Sequence, residues 1–349
     1  MAVRHRRQAP TQADIARAAG VSQGAVSAVI GGRSAEQRIP RETAQRIMDA
    51  ARELGYVANT AARSLKGKRN RLLGVHTFES VFPISQRDFY HEFLIGIEEQ
   101  AVAVGYDLVL FTSTEDPTGQ RRVYRDGANR LNVADGSVLL GIGSNNSDLA
   151  RLAADGYPFV HVGRRDVPDT EIAWVGADYS SATAELVGRL TTLGHRQVSY
   201  VGYAERYEAS RDREAGYRSG CASNGITPGV AYLEQDDVTA QWLDRSLATG
   251  VTAFLVERQE VAMRIAEYSA ARGLSIPDDL SIALIGASGG SSASRRWSTL
   301  GIPRNQMGRE AVRLLVDMLT APDVPREFQI LLPCTAPDDS TIAAAPPRR

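Results

Sequence analysis

Cysteine is scarce in this chain: two residues, Cys221 and Cys334, among 349. Two thiols cannot build a disulfide framework, and neither stands in a metal-like spacing, so a disulfide-stapled fold is excluded and a reducing compartment fits. Histidine is also sparse. His5, His76, His91, His161 and His195 show no metal-ligand spacing, and no metal or cofactor is expected. Long apolar runs are missing, and none nears the roughly 20 residues that a membrane helix needs. The charged start, MAVRHRRQAPTQADIARAAG, lacks the apolar stretch of a secretory leader, which points to the cytoplasm. What the chain does have is 43% hydrophobic residues, enough for a real core, and a length that suits two or three domains.

The net charge of −1 conceals an asymmetry. Residues 1–71 hold 14 Lys+Arg against 5 Asp+Glu, and the remainder holds 26 against 36. A basic head on an acidic body places an anionic polymer at one end only. Within that head, Thr11 is an N-cap with Asp14 three residues on, close to a capping box. Ile15 and Ala16, with Ala18 and Ala19, give a short helix that Gly20 ends. Val21 anchors the turn, and Ser22 caps a second helix running to about Ile30, with Val26, Val29 and Ile30 inward. Two short helices joined by a tight glycine turn make a helix-turn-helix. A third helix starts at Pro40, carries Ile47 and Leu54 at helical spacing, and stops at Gly55.

The strings ADIARAAGVSQGAVSAVIGG and RIPRETAQRIMDAARELGYVANTAARSLKGKR resemble, continuously over about residues 11–71, the head and hinge of the LacI family of bacterial transcriptional regulators. The resemblance implies that the second helix enters the major groove of a double-stranded operator by its N-terminal end. Gln23, Gly24 and Ser27 would then face the bases, with Ala28 one step further. Ser22 and Ser27 suit phosphates, and Gln23 suits a bidentate contact to adenine. Thr11 and Gln12 complete the expected DNA-binding set in the head. Ala28 and Gly31 stand where the family often has Arg and Asn, so the usual operator sequence does not carry over. Asn59 to Lys66 resembles the family's hinge helix, too short to hold alone in water. Asn59, Ala62, Leu65 and Lys66 are its expected contacts, with Leu65 as a minor-groove wedge.

After Arg71 the texture becomes βαβ: LLGVHTF, a helix to Gly105-Tyr106, DLVLFTS, a polar helix, GSVLLG, another helix, PFVHVG. The rhythm recurs through QVSYVGY, VTAFLVE and LSIALIGA. Two such doubly wound parallel-sheet halves resemble the family's periplasmic-binding-protein-like core, with a ligand cleft at the strand ends. A last helix, about Met307 to Leu319, should return to the first lobe. The expected organisation is therefore an all-α three-helix head (1–58), a hinge (59–71) and a two-lobed α/β sensor with its tail (72–349).

The resemblance carries effector-contacting roles onto Phe89, Tyr90 and Arg213; Arg164, Arg258, Gln259 and Trp297 are added from their places at strand ends and loops. Phe89 and Tyr90 fit simple core equally well, and Arg213 could instead pair with an acid. Arg258, Gln259 and Gly286 replace the Asn, Asp and Asp by which sugar-binding members grip hydroxyls. A polar effector, a sugar or a phosphorylated or charged derivative, is the expected ligand. Without a terminal heptad repeat, a homodimer is expected over a tetramer. Two other function classes compete. Gly286 to Gly290 spells the G-x-S-x-G of a hydrolase elbow around Ser288, but no histidine follows it in the chain. A secreted solute-binding protein would explain the core but not the head. Gly141-Ile142-Gly143 is a weak dinucleotide signal.

Overall fold

The computed structural model describes residues 10–30, 38–56, 69–78, 87–112, 121–141, 143, 145–286 and 296–347. Chain contacts divide into two units, Met1–Asn70 and Arg71–Arg349.

The first unit is built from local signals that agree with one another. Helix α1 (Gln12–Ala19) opens on a capping box: the Asp14 amide donates to the Thr11 hydroxyl at 3.4 Å, and the Thr11 amide donates to the Asp14 carboxylate at 2.9 Å. Gly20, left-handed at φ +63, closes the helix and lets the Val21 amide reach the Ala16 carbonyl. Ser22 caps α2 (Gln23–Ile30) by accepting from the Ala25 amide at 3.2 Å. Helix α3 (Arg41–Glu53) begins one residue later than the pattern indicates, with Pro40 as its N-cap. It ends in a Schellman motif: Tyr56 donates to Ala51 and left-handed Gly55 to Arg52. Ile15, Val26, Ala28 and Ile47, all fully buried, lock the three helices together. The isoleucine and valine side chains each contribute about 1.5–3 kcal/mol, and Ala28 about 0.8 kcal/mol.

The second unit contains two parallel sheets. The first lobe orders its strands β13-β7-β6-β5-β1-β2: β1 Leu72–Thr77, β2 Asp107–Phe111, β5 Gly136–Leu140, β6 Phe159–Val162, β7 Trp174–Ala177 and β13 Gln329–Leu332. The second lobe orders β12-β11-β10-β8-β9: β8 Val198–Gly202, β9 Gly229–Tyr232, β10 Ala253–Val256, β11 Ser281–Leu284 and β12 Ser298–Thr299. Central strands read as unbroken apolar runs because helices cover both faces; every residue of GSVLL, AFLV and SIAL is buried.

Helices α4 (Arg87–Val104), α5 (Asn146–Ala154) and α10 (Arg304–Thr320) belong to the first lobe. The second takes α6 (Tyr179–Thr192), α7 (Glu208–Ser223), α8 (Ala240–Ala248) and α9 (Gln259–Ala270). The expected return of the last helix holds, since Met307, Ala311, Val312 and Leu315 share a core with Leu73, Phe93 and Ile97. Glycines set the closest helix crossings. A Cβ on Gly96 would lie 2.0 Å from the Asn305 carbonyl oxygen, and one on Gly216 would lie 2.1 Å from that of Ser180.

One expectation fails. Where a polar helix is expected after DLVLFTS, the described residues form a hairpin, β3 (Tyr124–Arg125) with β4 (Ala128–Asn129), and then a 3-10 turn at Arg130–Val133. Asp126 and Gly127 both have positive φ, 52° and 79°, the two-residue turn that an Asp-Gly pair favours. No described helix is long and apolar enough to cross a membrane.

The chain passes between the lobes near Asp178, again near Ile302, and a third time after Leu332. After that third passage Thr341 donates to the Ile282 carbonyl at 2.6 Å, and the Ala345 amide donates to Leu193 at 2.8 Å, so the tail is stitched into the second lobe.

Candidate functional site

In the head, the start of α2 presents Ser22, Gln23 and Gly24 to solvent, with Ser27 half-buried one turn on. The helix can do this because Val26 and Ala28 point into the three-helix core. That burial corrects the expectation for Ala28: with no exposed surface it cannot touch DNA. Thr11 is exposed and Gln12 half-buried at the start of α1. Thr11 already uses its hydroxyl and amide on Asp14, whose carboxyl the same bonds hold below its ordinary pKa. Asn59, Ala62, Leu65 and Lys66 lie outside the described residues, as do Gly31 and Ser288.

In the core, the sites expected at the strand ends separate into three groups. Arg213, on α7, is 6% exposed and turns inward. Its guanidinium lies 4.0 Å from the centre of the Tyr179 ring, and Nη1 reaches Glu257 Oε2 at 3.4 Å. Glu257, just past β10, is fully buried and gathers donors: the Tyr200 hydroxyl, the Ser210 hydroxyl at 2.6 Å, and Arg206 at 3.6 Å. Arg206 in turn pairs with Glu214, which also accepts from Tyr232 at 2.8 Å. Burial and the neighbouring Glu257 carboxylate push the Tyr200 hydroxyl far above its ordinary pKa, so it stays a donor. Phe89 is half-buried at the start of α4, edge-on to Tyr90 with ring centres 4.9 Å apart, and gives its face to Arg304 at 5.5 Å.

A second group is spent on other partners. Arg164, in the loop after β6, donates to both oxygens of Asp212 on α7, at 2.8 and 2.7 Å, and also pairs with Asp166. Arg258 pairs with Glu234 and approaches Glu260 at 3.7 Å. Each charge is already compensated, which corrects the assignment of these two arginines to the effector.

The third group is core. Tyr90, 1% exposed, packs in the first lobe. Trp297, 8% exposed, packs with Phe254 and Leu284 in the second rather than offering an open stacking platform. Gln259 is buried at the first turn of α9. Gly286 has a structural cause: a Cβ there would lie 2.0 Å from the Glu257 carbonyl oxygen.

Several participants escape sequence reading. Beside the Arg164–Asp212 pair, Arg165 donates to Glu208 at 2.6 Å and Arg211 to Asp166 at 3.0 Å. Three ion pairs thus join the loop after β6 in the first lobe to α7 in the second. His161 sits behind them: its Nδ1 faces the Gly163 carbonyl at 2.9 Å, and its Nε2 faces Arg165 Nε at 3.3 Å. Burial, with Arg165 adding, holds His161 well below its ordinary pKa, so the ring is neutral and can accept from Arg165. Glu257 had a signal, a carboxylate ending the apolar run VTAFLVE. The residues of these three ion pairs, a latch between the lobes, had none, because the partners are more than 40 residues apart.

Comparisons with known proteins match both units. Residues 11–59 fit the family described as bacterial regulatory proteins, lacI family, and residues 187–341 fit the periplasmic binding protein-like domain. The HTH-type transcriptional regulator CelR of Thermobifida fusca is 28% identical over 328 residues, covering 90% of this chain and 93% of that protein. The sucrose operon repressor of Klebsiella pneumoniae is 31% identical over 214 residues, 61% of each chain. Among solved structures, the lac repressor dimer bound to operator and the anti-inducer ONPF aligns with TM-score 0.69 at 22% identity, covering 97% of this chain and 100% of that one. A CelR–cellobiose complex aligns with TM-score 0.60 at 22% identity, covering 95% and 99%.

Proposed function

Since the chain belongs to the LacI family of bacterial regulatory proteins, we propose that it represses transcription by gripping a pseudopalindromic operator as a homodimer, with a small polar effector between its core lobes setting operator affinity. The observation that carries the reading is α2. Its buried residues fix it in a rigid three-helix head while Ser22, Gln23 and Gly24 stay exposed at the end that enters the major groove. We divide the work as head 1–58, hinge 59–71 and sensor 72–349. In the hinge, Asn59, Ala62, Leu65 and Lys66 take minor-groove roles on the strength of the resemblance alone.

The effector side rests on Arg213 and Phe89 at the strand ends and on relatives named for sugars, the sucrose operon repressor and the CelR–cellobiose complex. Dimerisation is supported by the edge of the first sheet, where β2 exposes Leu108 and Leu110 beside Val102 of α4. Two copies joined along such an apolar edge would cover it. The reading assigns the chain no reaction to catalyse, and places it in the cytoplasm, on DNA. Selecting bound fragments from random DNA, then footprinting the best, tests it. An inverted repeat whose affinity falls steeply with salt is expected; one unsymmetric half-site overturns the dimeric operator reading.

A further inference from the structure

Arg304 is the first residue of α10, in the first lobe, and Arg213 stands on α7 in the second. Tyr179, at the passage between the lobes, is within electrostatic reach of both guanidinium groups. Arg213 lies over its ring, and Arg304 lies over the ring of Phe89. Neither arginine is fully satisfied. The Nε of each is buried without a hydrogen-bond partner among the described residues. Arg213 has one carboxylate, Glu257, and shares it with Arg206. Arg304 forms no ion pair with any described carboxylate, although Arg164, Arg165, Arg206, Arg211 and Arg258 all do. Burial, with Arg213 as a like charge, lowers the pKa of Arg304, although Tyr179 and the Glu92 carboxylate, which forms no ion pair with it, act the other way.

Arg213 is buried and Arg304 half-buried, and a guanidinium drawn out of water without a fully paired acid is costly, because desolvation is not offset by a counter-charge. Two that converge from opposite lobes also resist lobe closure by their mutual repulsion. An oxyanion placed between them removes both penalties, and it does so only when the lobes are together. From this we infer that the cleft takes an anionic effector, a sugar-sized molecule carrying a carboxylate or a phosphate, held by Arg213 and Arg304 with its ring against Phe89 and Tyr179. The inference rests on the effector reading above and specifies its chemistry. It gives Arg304 a binding role that the strand-end pattern does not reach, and it makes ligand charge the source of closure.

The test uses the full chain and three charged probes, glucose 6-phosphate, galacturonate and inorganic phosphate, beside neutral glucose and cellobiose. Calorimetry gives each Kd, and operator titration with and without probe gives the coupling. A charged probe should bind and change operator affinity. Arg304→Gln should weaken its binding roughly ten- to a hundredfold, the worth of one charge-assisted contact. Arg304→Lys, which keeps the charge, should restore most of the affinity. It also stands in should the Gln variant fold poorly by circular dichroism. A preference for glucose 6-phosphate over galacturonate would place phosphate, not carboxylate, between the guanidiniums, and the reverse order the reverse. Neutral sugars that alter operator affinity equally in parent and Arg304→Gln would overturn the anion inference and leave the effector reading standing. If none of the three anions binds at millimolar concentration in an Arg304-dependent way, the inference falls. If no probe of either class changes operator affinity, the effector reading falls with it.

Discussion

Arg164 and Asp212 form a two-pronged ion pair, 2.8 and 2.7 Å, that spans the two lobes of the core. Both side chains are about one-quarter exposed, 25% and 22%. The pair therefore lies between a surface bridge, worth up to about 1 kcal/mol, and a buried one, whose breakage costs several. Removing it should loosen the contact between the lobes without unfolding either, since neither residue belongs to a hydrophobic core. Asp212→Asn is expected to shift the lobe equilibrium by about 1 kcal/mol, seen as a roughly fivefold change in the effector concentration that half-saturates the operator response. A double-mutant cycle with Arg164→Ala isolates the pair from the extra contact to Asp166. Coupling indistinguishable from zero would remove the latch from the mechanism.

The pH dependence of the core should carry the mark of His76. This ring is fully buried in β1, where it pairs with Phe111 and Leu139, and neither nitrogen has a hydrogen-bond partner among the described residues. Burial, with Arg121 adding, holds its pKa near 4, against 6.5 when exposed. The folded chain refuses a proton that the unfolded chain accepts. Stability is therefore full above about pH 6.5, declines as pH falls toward 4, and loses nothing more from this group below that. The loss amounts to about 3 kcal/mol at most. Urea unfolding at pH 7, 5.5 and 4.5 should show a shallower decline in His76→Leu. Some slope should persist, because burial lowers His161 and His195 in the same direction. An identical decline in parent and variant is the adverse result.

Two glycine substitutions separate close approach from backbone strain. Gly216→Ala should cost about 1–3 kcal/mol or more, since its Cβ would press on the Ser180 carbonyl and force α6 and α7 apart. Gly225→Ala meets nothing within 4 Å but has φ +65, and should cost only about 1 kcal/mol. Thermal melts of the two variants check the ordering. Equal losses would mean that the helices can yield.

Gln23→Ala should relax preference at one base pair of each half-site and cost roughly 1–3 kcal/mol on the best operator, while sparing non-specific binding. Affinities measured on a panel of single-base operator variants give the answer. Uniform weakening across the panel would make Gln23 a phosphate contact instead.

The head was legible almost to the hydrogen bond because its determinants are local. Thr11 and Asp14, Gly20, Ser22 and Gly55 each act on a backbone group within five residues. Ala28 misled for the opposite reason: which side of a two-turn helix is buried depends on the helices packed against it. In the core, alternation of apolar strands and helices marks the two sheets, yet the polar stretch around Asp126-Gly127 reads as a helix, because its hairpin strands are only two residues long. The cleft was least legible. A lone arginine in sequence looks the same whether it awaits a ligand or an acid. Arg164 and Arg258 turned out paired, whereas Arg304, at the head of an ordinary amphipathic helix, did not.

The triple passage of the chain between the lobes has a consequence for synthesis. The first lobe is interrupted after Ala177, and the segment from Met307 to Leu319 that seals its core follows about 130 residues later. At about 5–20 residues per second, a ribosome needs on the order of ten seconds to supply that segment. Throughout that interval the nascent sheet carrying Leu73, Val138 and Val160 has one greasy side only partly covered, by Phe93 and Ile97 of α4. Most of the second lobe is encoded in between and can collapse in that interval, although its last segment, around Thr341 to Ala345, follows α10. The earlier half should therefore wait half-covered while most of the later half is made, and that waiting face is the natural landing place for a chaperone.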